Sequence, residues 1–194
     1  MLTDILKQFK WLDIFILILV VRVCYVSIKT GFPVEIFKFL GTLSAIYASL
    51  HYYTLTSDFI RQRLPLEAKM PLEFLDFVMF LLLAAAAYFI FFLLRTTFYR
   101  LIKIEAVSTL NKWGGLVLGI ARSVLLAGLV IFLLSISSVD YLKNSVKHSY
   151  LGVRFFKVAP ATYSWLWNSL ISKFSSGEKF NKTVLDTEKG FLAK

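Results

Sequence analysis

Residues 110–123 read LNKWGGLVLGIARS, a polar and basic lead-in that runs directly into a glycine-studded apolar segment carrying one arginine. From Leu116 to Ile136 the only charged residue is Arg122. A hydrocarbon core of ~30 Å needs about 20 apolar residues at 1.5 Å rise each, so this segment is long enough to cross a bilayer as a helix. Gly115, Gly119, Ser123 and Ala127 recur every four residues and fall on one narrow stripe, where the absence of bulk lets another backbone come close. The segment reads as a membrane helix built to pack on other helices. The fold class that follows is all-α, an integral membrane protein.

The composition agrees. Of 194 residues, 58% are hydrophobic, 16% aromatic and only 18% charged, too little polar surface for a soluble domain of this size. The apolar runs are apolar all round, whereas helices around a soluble core would be apolar on one face. The formal net charge of +10 raises the question of nucleic acid, but the Lys and Arg residues are scattered at helix ends and along the C-terminal tail. Anionic lipid headgroups are the simpler partner, and no nucleic acid is expected. A single cysteine, Cys24, excludes an internal disulfide and any multi-cysteine metal site. His51 and His148 lack carboxylates or thiols at metal-ligand spacing and read as interfacial or loop residues. No metal or cofactor is expected.

Outward from the opening stretch, four spans are expected at about 11–28, 33–50, 74–94 and 115–136, making residues 1–138 one transmembrane domain. The first ten residues, MLTDILKQFK, precede an apolar run as a secretory signal would, but Arg22, Val23 and Cys24 replace a small-residue cleavage site, so an uncleaved helix is expected. Asp13 and Arg22 lie nine residues apart, on opposite helix faces, and cannot pair along this helix. Asp13 is placed at the membrane boundary beside Trp11; Arg22 must snorkel or find a partner. Gly31 and Pro33 mark a break before the second helix. The cleanly apolar part of that helix, Phe39 to Leu50, is too short to span unaided, so Glu35 and Lys38 must enter the boundary or the helix must tilt. Gly41, Ala45 and Ser49 give it a small-residue stripe like that of the fourth helix, and the two stripes are expected to dock on each other. The stripes also allow a homo-oligomer.

Residues between His51 and Asp76 read as an extramembrane loop. Phe74 to Leu94 contains LLLAAAAYFIFFLL, a slim tetra-alanine waist flanked by aromatics, and Thr96 to Thr109 reads as an interfacial segment. After Ser138 the tail carries nine Lys or Arg against four Asp or Glu. Residues 139–174 read as a basic amphipathic segment lying on the membrane, broken near Pro160, with Tyr163, Leu166, Leu170 and Phe174 on one side. An extramembrane helical hairpin packed on the loops is the alternative. Residues 175–194 read as disordered. Basic residues on both sides leave the membrane orientation open.

With these stretches in place, the chain resembles the colicin V production protein (CvpA) family of bacterial inner-membrane proteins. The likeness runs over about residues 11 to 140: Asp13 before the first span, Gly31-Phe32 followed by Glu35 and Leu40-Gly41, then Leu110-Asn111-Lys112 followed by Gly115, Gly119 and Arg122. Thr30 stands where the family usually has a basic residue, and Ser123 where it has a glycine. The resemblance implies a non-enzymatic inner-membrane protein needed for production or export of a peptide toxin and for envelope homeostasis, with secretion or envelope proteins as partners.

Glu35 and Arg122 are the candidate site residues, because a charge at bilayer depth costs roughly 2.5 to 3.5 kcal/mol on insertion scales and is retained with a partner or a wet cavity. In one reading they meet across the second and fourth helices and line a polar path, with Arg22 as a further intramembrane charge, as in a channel or small-solute transporter. In the other they are structural: Glu35 complements the helix dipole and pairs with Lys38 while Arg122, about two turns into its helix, snorkels, or the two join to hold the helices together. No Ser-His-Asp set, phosphate-cradling loop or paired carboxylates appear within a span.

Overall fold

The computed structural model describes residues 10–63, 71–101, 108–174 and 177–192, and these residues are almost entirely helical. Helix α1 is Trp11–Thr30, α2 is Phe32–Arg63, α3 is Leu72–Leu101 and α4 is Ser108–Ser135. Shorter helices follow: α5 (Asp140–Lys147), α6 (Tyr150–Phe156) and α7 (Val158–Leu166), which continues through a wider turn over Trp167–Ile171 to Phe174. Helix α8 is Lys182–Leu192. Among the described residues three helices are long and apolar enough to cross a membrane: Trp11–Thr30, Leu72–Arg100 and Thr109–Ser135.

The expected second span differs. Helix α2 is the longest of all, at 32 residues, but it carries Thr, Ser, Tyr and His where the others carry Leu and Phe. Its place explains the composition. It packs between α3 on one side and α4 on the other, while α1 packs on α4. A helix flanked by protein can keep polar residues that a lipid-facing one cannot. The outer helices α1 and α3 accordingly expose Ile14, Ile18, Val21, Leu82, Phe89 and Ile90.

Helix α2 also runs on through residues expected to be a loop, ending at Arg63 rather than near Leu50. Nothing in HYYTLTSDFIRQR breaks a helix, and the next proline is Pro65. The extension stays against α3: Tyr53 meets Phe80 at 5.8 Å between ring centroids, and Ser57 donates to Asp76. The middle of the expected 96–109 interfacial segment and the first nine residues lie outside the described residues; Thr96 to Leu101 simply continues α3.

The glycines set the closest approaches. Helix α1 ends at Gly31, whose φ of 80° suits a residue without a side chain. A Cβ at Gly119 would collide with the Ser27 hydroxyl, and one at Gly115 would lie 2.7 Å from the Ser27 carbonyl oxygen. The α4 stripe therefore docks on α1. On the α2 stripe, Gly41 lies against Tyr88 and Phe91 of α3 rather than on the α4 glycines. Four-residue spacing identifies a face but not the helix that will use it.

The C-terminal part bears on two further expectations. Residues 139–174 are broken near Pro160, between Phe156 and Val158, and again at His148–Ser149; of the four residues expected on one side, Tyr163 and Leu166 are buried against the bundle with Val146 and Phe156, while Leu170 and Phe174 stay exposed. The end is not disordered where it is described, since α8 is helical with Val184 wholly buried. Ring stacking supplies the reason. Phe132 of α4 stacks on Phe80 and Phe156, and Phe156 stacks on Phe191 of α8 at 4.1 Å, a column that buries apolar area from five helices when Tyr53 is included.

Replacing Gly119 by Leu should force α1 and α4 apart at a cost of roughly 1–3 kcal/mol, the usual penalty of overpacking. Gly177→Leu, where an added Cβ meets nothing within 4 Å, is the control. Thermal unfolding in detergent should show a lowered midpoint for the first variant and none for the second.

Candidate functional site

The two charged candidates meet where α1, α2 and α4 converge. Glu35 sits in the first turn of α2, where its carboxylate is favoured by the helix dipole, and its backbone N–H donates to Gly31 O at 3.1 Å. Its side chain is fully buried. Oε1 accepts from Lys38 Nζ at 2.6 Å and from Thr30 Oγ1 at 2.7 Å. Oε2 lies 3.1 Å from Arg122 Nε of α4. Neither atom of that last pair makes an aligned hydrogen bond, so the contact is a close ion pair rather than a directed bond. Arg122, only 5% exposed, also points Nη2 at the Ser27 hydroxyl of α1, at 3.4 Å. Both sequence readings of Glu35, the pair with Lys38 and the pair with Arg122, describe the same cluster.

Asn111 completes the junction. Its side-chain oxygen accepts from Phe32 N at 2.8 Å, and a Cβ on Gly31 would fall on that amide group. The LNK and GF stretches, distant in sequence, are thus one tertiary contact that fixes the α1–α2 turn and so the position of Glu35. The sequence shows Asn111 and Thr30 without indicating a role for either, and nothing in it singles out Ser27. Ser27 and Thr30 are ordinary helix hydroxyls, each donating to the carbonyl four residues back, Ser27 Oγ to Val23 O and Thr30 Oγ1 to Val26 O. Arg22 is exposed and stands apart from the cluster, on the face opposite the buried Asp13.

Two other polar seams hold the C-terminal segment. Asp13, expected at the membrane boundary, is fully buried in protein, and its carboxylate accepts from Lys10 N at 2.8 Å, Ser149 Oγ at 2.7 Å and Leu151 N at 2.7 Å. It thereby caps the N-terminus of α6 from another helix, assisted by Ser149 Oγ, which accepts from Gly152 N. Trp11 Nε1 donates to Ser145 Oγ at 3.2 Å beside it. The second seam lies on α2. His51 Nδ1 is 2.9 Å from Tyr163 Oη, which accepts from Asn181 N at 3.0 Å, while Asn181 Nδ2 donates to Leu50 O at 2.8 Å. His51 is therefore a buried core residue rather than an interfacial one, its ring stacked between Tyr47 and Trp167 at 5.1 and 5.3 Å. A neutral imidazole that accepts from Tyr163 carries its proton on Nε2, which faces Glu178 at 3.5 Å.

Chemically, the Glu35 carboxylate is enclosed by two cations and a hydroxyl that are engaged with it, an arrangement suited to holding helices. Among the described residues no group of three His, Cys, Asp or Glu could hold a metal ion.

A protein-family model described as Colicin V production protein matches residues 12–174. The chain belongs to this family. The match reaches beyond the four long helices to Phe174, so it takes in α5, α6 and α7, while α8 lies past its end. No curated protein and no solved structure matches the chain.

Breaking a buried ion pair by removing one partner costs roughly 3–5 kcal/mol, and here the two sides are unequal. Glu35→Gln leaves two cations facing each other, whereas Arg122→Gln leaves Glu35 with Lys38 and Thr30. Thermal unfolding should therefore show Glu35→Gln as the more damaging, with Arg122→Gln smaller and the double variant recovering part of the loss. At the second seam, the Tyr52 hydroxyl that donates to Glu178 at 2.7 Å holds that carboxylate below its ordinary range. A depressed carboxylate stabilises above its unfolded value, about 4.3, and loses that contribution as pH falls through the folded one. A fluorophore on Lys189 should report loosening of α8 below about pH 4, and Glu178→Gln should flatten that transition.

Proposed function

We propose that the protein is an inner-membrane accessory factor for peptide-toxin production and envelope homeostasis, acting without catalysis, with α2 as an inner fourth crossing between α3 and α4. Family membership supports the toxin-production part. The observation that carries the mechanical part is the closed Glu35 cluster: one carboxylate, wholly buried, tied to the end of α1 through Thr30, to its own helix through Lys38 and to α4 through Arg122. That is the construction of a fastening. A transport path would need the same charges to line a wet passage, and the large grooves on the bundle are walled by Leu43, Phe39, Val124 and Ile90 instead. The α2 crossing is supported by its pairing along α3 from Phe37 with Phe98 to Tyr53 with Phe80, which keeps the two helices side by side over about 24 Å of a ~30 Å hydrocarbon core.

Complementation of a deletion strain tests this, with secreted toxin and growth under bile salts as readouts and membrane levels of each variant measured. Arg122→Leu and Glu35→Gln should lose function only in proportion to their lost accumulation. Normal accumulation with abolished function would overturn the fastening reading, and solute flux into liposomes carrying the native chain would put transport in its place.

A further inference from the structure

The tetra-alanine waist of α3 has a structural consequence that the fastening does not use. Between α2, α3 and the end of α7 an open groove of about 400 Å³ is lined by Leu40, Ser44, Ala87, Ile90, Leu166 and Leu170, nearly all apolar. Ala87 forms its floor on the α3 side; a larger residue there would fill it. Phe91 lines both this groove and a narrower cleft, whose other walls include Tyr88, Lys38 and Arg95. Arg95 is the first charged residue after the uncharged stretch Phe77 to Leu94, which sets it at the upper edge of the hydrocarbon. Its guanidinium rests over the Phe92 ring at 4.9 Å, which restrains it there.

Charge and length say what fits. Glu35 is shared by Lys38 and Arg122, two cations to one carboxylate, so this corner of the bundle keeps a surplus positive charge before Arg95 is added. An uncompensated cation at the edge of the hydrocarbon attracts an anion. From Lys38 to Ala48, the α2 residues that border the two openings, a helix rises about 15 Å, half of a ~30 Å hydrocarbon core. A site with cations at the headgroup level and an apolar trough one leaflet deep matches one lipid molecule. We propose that this groove is a specific site for an anionic phospholipid, its phosphate between Lys38 and Arg95 and one acyl chain along Leu40, Ala87 and Leu170.

The test is native mass spectrometry of the full chain, delipidated in detergent and then offered phosphatidylglycerol and phosphatidylethanolamine at equal concentration. One retained phosphatidylglycerol per chain, in preference to phosphatidylethanolamine, is expected. Arg95→Gln should weaken that preference about fivefold, the effect of one basic residue facing anionic lipid. Ala87→Phe should abolish retention of both lipids, with Ser44→Leu as a second groove-filling variant if the first accumulates poorly. Equal retention of the two lipids, or retention unchanged in Arg95→Gln and in both groove-filling variants, would overturn the proposal. So would crosslinking of a second copy through Ala87, which would make the groove a helix-docking surface.

Discussion

A carboxylate stays inside an apolar bundle only where cations and hydroxyls replace the water it gives up, and much of this structure can be traced to that requirement at Glu35. The Gly31 turn must be tight enough to bring Thr30 back over the first turn of α2, which demands the positive φ that glycine allows. Asn111 must hold that turn, which brings the start of α4 against the end of α1. Arg122 must then reach Glu35 past Ser27, and it can do so only because Gly115 and Gly119 let the two backbones close. Each small residue serves a polar one.

The same logic recurs at the opposite end of the bundle, with different chemistry. Asp13 replaces its lost water with two donors at the start of α6, and His51 with Tyr163 and, at longer range, Glu178. In each case a polar side chain on a long helix binds a segment more than 100 residues away. Apolar packing alone is non-directional and would let short helices slide over a greasy surface. Directed hydrogen bonds fix where they sit, and the Phe80, Phe132, Phe156 and Phe191 column then supplies the area.

How far this was legible in the sequence follows from the same division. Apolar length and glycine spacing are local, so the outer helices and the α1–α2 break could be read, and the cost of burying charge pointed to Glu35 and Arg122. The partners of the small-residue stripes could not be read, because a stripe has no address: Gly41 chose Tyr88 and Phe91, and Gly119 chose Ser27. The reach of α2 to Arg63 was missed because polarity was taken for a loop when only a breaker ends a helix. The fate of the tail was missed because its basic composition resembles disorder, while the few residues that anchor it, Val184, Phe180 and Phe191, are too sparse to show a period. The burial of Asp13 could not be read because the groups that donate to it, Ser149 Oγ and Leu151 N, lie more than 130 residues further along the chain.

Lys38 stands in both halves of the functional picture. Its ammonium contributes to the fastening through Glu35 at 2.6 Å and it walls the cleft that Arg95 also lines. An anion bound at that cleft draws on the same ammonium that Glu35 uses, so occupancy of the groove and the strength of the α1–α2–α4 junction are not independent. Linkage makes the coupling reciprocal: whatever a bound headgroup does to the junction, the junction does to lipid affinity. With Arg122 holding the other carboxylate oxygen, Glu35 keeps one cation even when Lys38 is shared. A cluster with two cations for one carboxylate can tolerate that exchange, and a simple pair could not.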